Sequence, residues 1–531
     1  MKKFLVFLFH LYIAFVSANC PDKALINTKI YTLNPELPVA NFMTIKKDRI
    51  DYVGKKRIDL SKCTSTEVHD LNGSFVFPGF VDSHAHLRGV GFKESSLDLS
   101  NTTSKDDLIS KVKAYLNENP DISIIVGKGW IEKNWKNKTF PNKTDLDLIT
   151  YKIPIILERA DGHAVIVNSI ALELAGISSY TKDPVGGEIE KDEEGDMTGL
   201  LIDNAQKLIL PLIPKRTDQE NEKAFITGSK VYLSRGWTGI HDADSLPIKD
   251  VMRYENLDLG LRVHFSLAKD DYNHCQKGSR SIKIYADGAI GSRGAALLES
   301  YEDKNSKGLI LLDQDIDSYL LKIAQKDCQI QVHAIGDRAN QIVIDAFETV
   351  FNLFPEHDFR WRIEHAQNVI EEDRKRFKTL KIIASMQPSH AIGDLHFAVD
   401  RLGIDRLSNA YTWKSFIDNE VVVVGGSDAP VELGDPIIEF YAAVTRKDLD
   451  GFFDDGWNLE QALSREDALS IFTKWPAYAI FKEDEQGTLE TGKLADITIF
   501  DRDIMTIPDN EILKTKVIMT IVGGKIVYEN G

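Results

Sequence analysis

From Gly79 onward, short apolar runs bounded by Gly, Pro and charged residues alternate with longer stretches whose apolar positions recur every three or four residues. A strand sends successive side chains to opposite faces, whereas a helix returns to one face about every 3.6 residues. The two spacings therefore predict different elements. Strand-like runs are Gly79–His86, Ser123–Val126, Ile153–Arg159, Gly239–His241, Ser281–Tyr285, Ile330–His333, Arg360–His365, Ile382–Met386 and Val421–Gly425. Helical stretches such as Lys105–Leu116, Ala339–Phe351 and Arg465–Ile480 fall between them. This alternation predicts an α/β fold of βα units, a parallel sheet closed as a (β/α)₈ TIM barrel. Nine runs compete for eight places, and Ser123–Val126 and Gly239–His241 are the weakest.

The two ends of the chain have a different texture. Ala24–Leu37, Phe42–Val53 and Ser74–Phe77 read as short β-strands, as do Ala495–Phe500, Val517–Val522 and Lys525–Val527. The expectation is one small β-sandwich built from both ends, residues 19–77 and 484–531, flanking a barrel over residues 78–483. The alternative is two unrelated terminal extensions. At the start, Lys2 and Lys3 precede an apolar run from Phe4 to Val16, followed by the small residues Ser17 and Ala18. Residues 1–18 thus read as a cleaved signal peptide, with no stable membrane anchor, and place the protein in the secretory lumen or outside the cell. An uncleaved signal anchor is the competing reading.

Composition narrows the function. A chain of 531 residues with 43% hydrophobic content can fill a large barrel and a smaller domain. Its formal charge of −17 is spread along the chain, which excludes the basic footprint of a nucleic-acid binder. Four cysteines make no disulfide scaffold, but Cys20 and Cys63 share the small domain and are placed for one bridge. Sequons at Asn72, Asn101, Asn137 and Asn142 offer glycan acceptors.

The chemistry sits at the ends of the predicted strands. In Pro78-Gly79-Phe80-Val81-Asp82-Ser83-His84-Ala85-His86 the two histidines are two residues apart on a strand, so both face one way and can grip one ion. Neutral imidazole is a common zinc ligand. His333 and His365 end two successive runs, and Asp428 follows Val421–Val424 and a Gly-Gly-Ser turn. Each histidine alone reads equally as a core residue, and Asp428 as a helix cap. Their recurrence at the same end of successive barrel strands, where catalytic groups of this fold gather, favours a metal centre.

Pro-Gly-Phe-Val-Asp-Ser-His-Ala-His with the later His333, His365 and Asp428 resembles the amidohydrolase superfamily. Arg159-Ala160-Asp161-Gly162-His163, Gly186-Gly187-Glu188-Ile189, Lys283-Ile284-Tyr285-Ala286-Asp287-Gly288 with Gly291-Ser292-Arg293, and His333-Ala334-Ile335-Gly336-Asp337-Arg338 resemble amidohydrolase family 3 and its N-substituted formamide deformylase-like branch. The likeness runs from about Ala24 to Val527. It implies one or two divalent metals, zinc foremost: His84, His86 and Asp428 would hold one, His333 and His365 a second. Lys283 would join them only after carboxylation, because an ammonium has no lone pair. A metal would lower the pKa of bound water to about 7 and polarise a carbonyl, and Asp428 would carry the proton. His163 would act beside Asp428 on the substrate or its oxyanion. Arg293 and Arg338 would hold a substrate carboxylate or pair with Asp287 and Asp337. Trp130 would form a pocket wall or part of the core, and Asp161–Leu201 a lid.

The implied activity is hydrolysis of non-peptide carbon–nitrogen bonds in a small-molecule amide, such as a linear amide or an N-substituted formamide. A deaminase or cyclic-amide hydrolase with the same metal site is the alternative. A non-catalytic secreted binding protein is a third reading, against which the full ligand set counts. A homodimer remains open.

Overall fold

The structure is a computed structural model that describes residues 20–530 apart from 131, 133–134, 138, 160–163, 185–186, 292, 313–314, 450 and 452–455. The signal-peptide segment, residues 1–18, lies outside the described residues. Two compact units divide the chain: residues 20–87 with 229–530, and residues 88–228. No helix among the described residues is long and apolar enough to cross a membrane.

The first unit holds a TIM barrel of eight parallel strands in chain order: Phe80–Ala85, Trp237–Leu246, Arg262–Leu267, Arg280–Tyr285, Ile330–Ala334, Arg362–His365, Ile383–Met386 and Val423–Gly425. These strands are buried almost throughout, as a parallel sheet covered on its faces requires. Beyond the eighth strand the chain runs back beside the first. Asp428 N–H donates to the His84 carbonyl (2.6 Å) and His86 N–H to the Ala429 carbonyl (2.8 Å). A side chain at Gly426 would bring a Cβ to 2.5 Å from the His84 nitrogen, so only glycine permits this approach. The last strand thereby delivers Asp428 next to the first strand's histidines.

Helix Asp337–Phe351 lies between the fifth and sixth strands and buries Ala339, Asn340, Val343, Ile344, Ala346, Phe347 and Val350, one face at helical spacing. The single helix expected over Arg465–Ile480 is two, Arg465–Ile471 and Lys474–Ala479. Pro476 accounts for the break: it has no N–H to bond back into the preceding turn.

Both chain ends build the small β-sandwich. Arg49–Gly54, Phe42–Lys46, Lys23–Ile26 and Glu67–Asp70 form one sheet. The other carries Lys525–Glu529, Val517–Val522 and Ile497–Phe500 alongside Phe75–Pro78, Lys29–Tyr31 and Val39–Ala40. Antiparallel pairing of Ile499 with Val76 and Ile497 with Pro78 joins the termini. Leu25, Met43, Ile45 and Ile50 of the first sheet share one core with Val76, Ile497, Ile499 and Ile521 of the second. Two disulfides are present, Cys20–Cys63 as expected and Cys275–Cys328, which the sequence left unpaired.

The second unit lies in the sequence between the first and second barrel strands and has its own sheet. Its order is Gly187–Lys191, Met197–Asp203, Ala164–Val167, Ile155–Arg159, Ile125–Trp130, Leu97–Asp98. This corrects the strand assignment. The runs Ser123–Val126 and Ile153–Arg159 pair with each other in this sheet and not in the barrel, while Arg262–Leu267, passed over in the sequence, is the third barrel strand. Apolar periodicity marks a buried strand but carries no record of which sheet it joins. The described part of Asp161–Leu201 contributes to three strands of this sheet.

Candidate metal centre

The barrel brings the sequence-predicted ligands to one place. His84 is 1% exposed, and its ring centroid lies 4.7 Å from that of His365 and 5.7 Å from that of His86. His333 stacks edge-on against His365 at 4.5 Å. Asp428 Oδ1 is 3.1 Å from His86 Nε2 and 3.5 Å from His84 Nε2.

Among the described residues, two sets of three groups gather their ligand atoms within 4.8 Å of one another: His84, His86 and Asp428, and His365, His390 and Asp428. The first is the set expected from sequence. The second adds His390 to His365 and Asp428, while His333, expected with His365, lies against that ring outside this set. Asp428 Oδ2 lies 3.6 Å from His390 Nε2, and the His390 ring stacks on His365 at 5.8 Å. His390 sits on the short helix Pro388–Asp394, directly after the seventh strand. Its position at a strand's C-terminal end was a signal, but a histidine inside a helical turn has no strand alternation to single it out.

His365 reaches the cluster by a backbone device. Strand alternation places Glu364 on the same face as Arg362, so the next residue should point away. His365 instead has φ +72° and Ala366 φ +42°, a left-handed turn that re-aims the ring toward His84 and His333. Asp428 is held at φ +58°. Such conformations cost about 1–3 kcal/mol each and cluster at functional sites.

The Nδ1 atoms of three histidines are tied down by acceptors that the sequence reading did not single out. His84 Nδ1 meets Glu364 Oε2 at 2.5 Å, His86 Nδ1 meets Asp244 Oδ1 at 2.7 Å, and His365 Nδ1 meets Gln387 Oε1 at 2.8 Å. A carboxylate or amide oxygen only accepts, so each Nδ1 carries a proton and donates it. In the neutral ring Nε2 is then the lone-pair nitrogen. Glu364 is wholly buried and ion-paired to Arg362 Nε at 3.0 Å. Burial opposes its ionisation, yet Arg362 and His84 hold its carboxyl well below the usual range.

Electrostatics at the centre keep His84 and His333 neutral, whereas His86 would give up a proton on binding a cation. Burial and the nearby Lys283 charge pull His84 down to about 4. His333 falls to about 3 for the same reasons. Burial opposes a charge on His86, but Asp244 and Asp428 outweigh it and push the ring up to about 10. Asp428 is likewise opposed by burial and held well below the usual carboxylate range by His84, His86, His365 and His390. Burial brings Lys283 down to about 8. Lys283 Nζ, His333 Nε2 and His390 Nε2 are buried without a hydrogen-bond partner. Buried polar atoms left so are costly, and His390 Nε2, 3.6 Å from Asp428 Oδ2, fits a divalent cation that this donor set would hold.

The remaining site residues fall elsewhere. His163 lies outside the described residues. Trp130 is fully buried, its Nε1–H donating to the Leu157 carbonyl at 2.9 Å, and packs with Trp135, Leu97 and Leu157 in the core of the second unit. That is the core reading of this residue, not the pocket wall. Arg293 is engaged by Asp303 through bonds of 2.9 and 2.6 Å, and Arg338 is exposed on the first turn of helix Asp337–Phe351. Neither finds the acid expected for it. Asp287 instead accepts the N–H groups of Ala296, Ile335 and Gly336 at 2.8–2.9 Å, and Asp337 accepts those of Leu298 and Arg338. In both cases backbone donors, absent from any sequence-level tally of charges, supply the partners.

The chain is similar to several known proteins. YtcJ of Bacillus subtilis (strain 168) is 36% identical over 487 residues, 87% of this chain and 91% of that one. The N-substituted formamide deformylase of Arthrobacter pascens is 26% identical over 538 residues, 96% of this chain and 98% of that one. An uncharacterised metal-dependent hydrolase of Pyrococcus furiosus superposes with a TM-score of 0.74 at 28% identity, over 91% of this chain and 100% of that one. The amidohydrolase family model matches residues 67–528, a span that takes in every proposed ligand. With those ligands meeting at the mouth of a TIM barrel, the chain belongs to the amidohydrolase family and is a hydrolase.

Proposed function

We propose that this hydrolase cleaves the carbon–nitrogen bond of linear amides, N-substituted formamides in particular, with Asp428 as the proton carrier. The observation that carries the reading is the position of Asp428, whose carboxylate touches His84 and His86 through one oxygen and approaches His390 through the other. A divalent metal held by these groups supplies a water of lowered pKa and polarises the carbonyl. Asp428 accepts one proton from the attacking water as its oxygen bonds to the carbonyl carbon. The C–N bond then breaks, and Asp428 returns the proton to the departing amine nitrogen.

Imidazole nitrogens with one carboxylate suit zinc. Lys283, brought down to about 8 by burial, has a share of neutral amine at neutral pH, the form that adds carbon dioxide to give a carbamate and a proton. A cavity of about 270 Å³ lined by Lys283, Tyr285, Leu311, Leu312 and Ile316 offers an apolar wall for the N-substituent. Similarity to the Arthrobacter deformylase supports the formamide assignment. Two disulfides support residence in an oxidising compartment.

The test is a screen of metal-loaded protein with N-formyl and N-acetyl amines, reading formate or acetate beside free amine. Formate release with the matching amine is expected. Ammonia release, or opening of a cyclic amide with formamides untouched, would turn the reading toward the deaminase or cyclic-amide class.

A further inference from the structure

The two ligand sets are backed by different chemistry. In the first, each histidine donates from Nδ1 to an acidic side chain: His84 to Glu364 at 2.5 Å and His86 to Asp244 at 2.7 Å. Glu364 is completely buried and Arg362, itself 1% exposed, pairs with it at 3.0 Å, so this acceptor is fixed in place.

In the second set, the acceptor behind His365 is the neutral amide oxygen of Gln387. Besides Asp428, the acid that His390 influences electrostatically is Asp394, and its Oδ2 is already taken by Tyr411 Oη at 2.5 Å and Gln367 Nε2 at 2.6 Å. The adjacent His333 bonds the backbone of Gly288, and Asp287, 3.7 Å from its Nε2, already accepts three backbone N–H groups.

Hydrogen bonds to an ionised acceptor are about twice as strong as neutral ones. A carboxylate behind a ligating histidine raises the basicity of the nitrogen that meets the metal, and losing such a partner costs about 10–100-fold in affinity. We infer that the two metal positions are unequal: His84, His86 and Asp428, backed by Glu364 and Asp244, form the tight position, and His365, His390 and Asp428, backed by Gln387, form the weak one. Glu364 and Asp244 are therefore positioning residues. This inference rests on the metal-centre reading.

The experiment titrates metal-stripped, full-length protein with Zn²⁺ against a chromophoric chelator and counts bound metal by elemental analysis. Two steps separated by about tenfold or more in Kd are expected, or a single ion as the limit of a wide gap. Glu364→Gln should weaken the tight step by about 10–100-fold and leave any second step unchanged. If loss of the Arg362 partner prevents that variant from folding, Asp244→Asn serves in its place. Gln387→Glu should do the opposite, tightening the weak step by about tenfold or creating one where the wild type had none. Equal steps in the wild type, a single ion released by His365→Ala and kept by His86→Ala, or a Gln387→Glu titration identical to wild type would overturn the inference. No zinc bound by any of these proteins would instead sink the metal-centre reading beneath it.

Discussion

The barrel sheet buries many polar and charged residues among its apolar ones, whereas the core of the second unit is mostly apolar. Inside the barrel sheet, Asp82, His84, His241, His264, Lys283, Gln331, Arg362, Glu364 and His365 are all less than a tenth exposed. The second unit packs Leu97, Leu108, Val112, Ile125, Trp130, Trp135, Leu157 and Ile166 around one apolar core, with Arg159 and Glu132 as a buried ion pair at 2.8 Å. Burying a charge costs free energy unless it is paired or bonded, so a sheet built only for stability would not carry Lys283 and Arg362 inside it. The difference separates residues kept for chemistry from residues kept for packing, and each side can be tested.

The largest effect is expected at the centre. Asp428→Asn removes the proton carrier and should lower kcat/KM by about 10²–10⁴-fold with unchanged circular dichroism; near wild-type turnover on a verified substrate would remove Asp428 from the mechanism. In the second unit the loss should be of stability instead. Trp130→Ala should cost about 3–5 kcal/mol by denaturant titration, the range for emptying a large aromatic site, with KM unchanged in the protein that remains folded. A raised KM with full stability would return Trp130 to the substrate-contacting role.

A middle case tests the apolar wall at the barrel's mouth. Leu311 is 56% exposed, so its truncation leaves no core cavity. Leu311→Ala should raise KM by about tenfold for formamides with bulky N-substituents, leave N-methylformamide unaffected, and not move the melting temperature. The smallest effect concerns a buried acid outside the ligand sets. Burial raises Glu439 well above the usual glutamate value, although Ser389 N–H donates to it at 3.0 Å. Its folded pKa exceeds its unfolded one, so its contribution to stability is complete below the unfolded pKa and is lost as pH rises through the folded pKa. Glu439→Gln keeps an acceptor for Ser389, and should flatten that decline and raise the melting temperature at neutral pH. A lower melting temperature, with the same pH slope as wild type, would show Glu439 to be stabilised as a carboxylate.

Most of the first metal position was legible before the fold. His84 and His86 lie on one strand, where a period of two settles their shared face, and Asp428 follows an apolar run and a glycine turn. His390 and the supporting acids were not legible. Glu364 stands beside His365 in the sequence yet serves His84, 280 positions away. Asp244 is at the end of the second barrel strand, which was the weakest of the expected strands alongside Ser123–Val126. The arginines show the same limit, because their expected acids were claimed by backbone N–H groups that composition does not display.

Local sequence was enough for the alternating βα architecture, the pairing of the chain's two ends in kind if not in register, and most of the candidate ligands, because periodicity and residue chemistry are local properties. Which sheet each strand joined, that His390 approaches Asp428, and which acid stood behind which imidazole were settled only by tertiary structure. Those choices depend on barrel closure, on the glycine-permitted approach of the last strand to the first, and on a left-handed turn at His365. All of these arise from steric fit between segments far apart in the chain, and no local pattern records them.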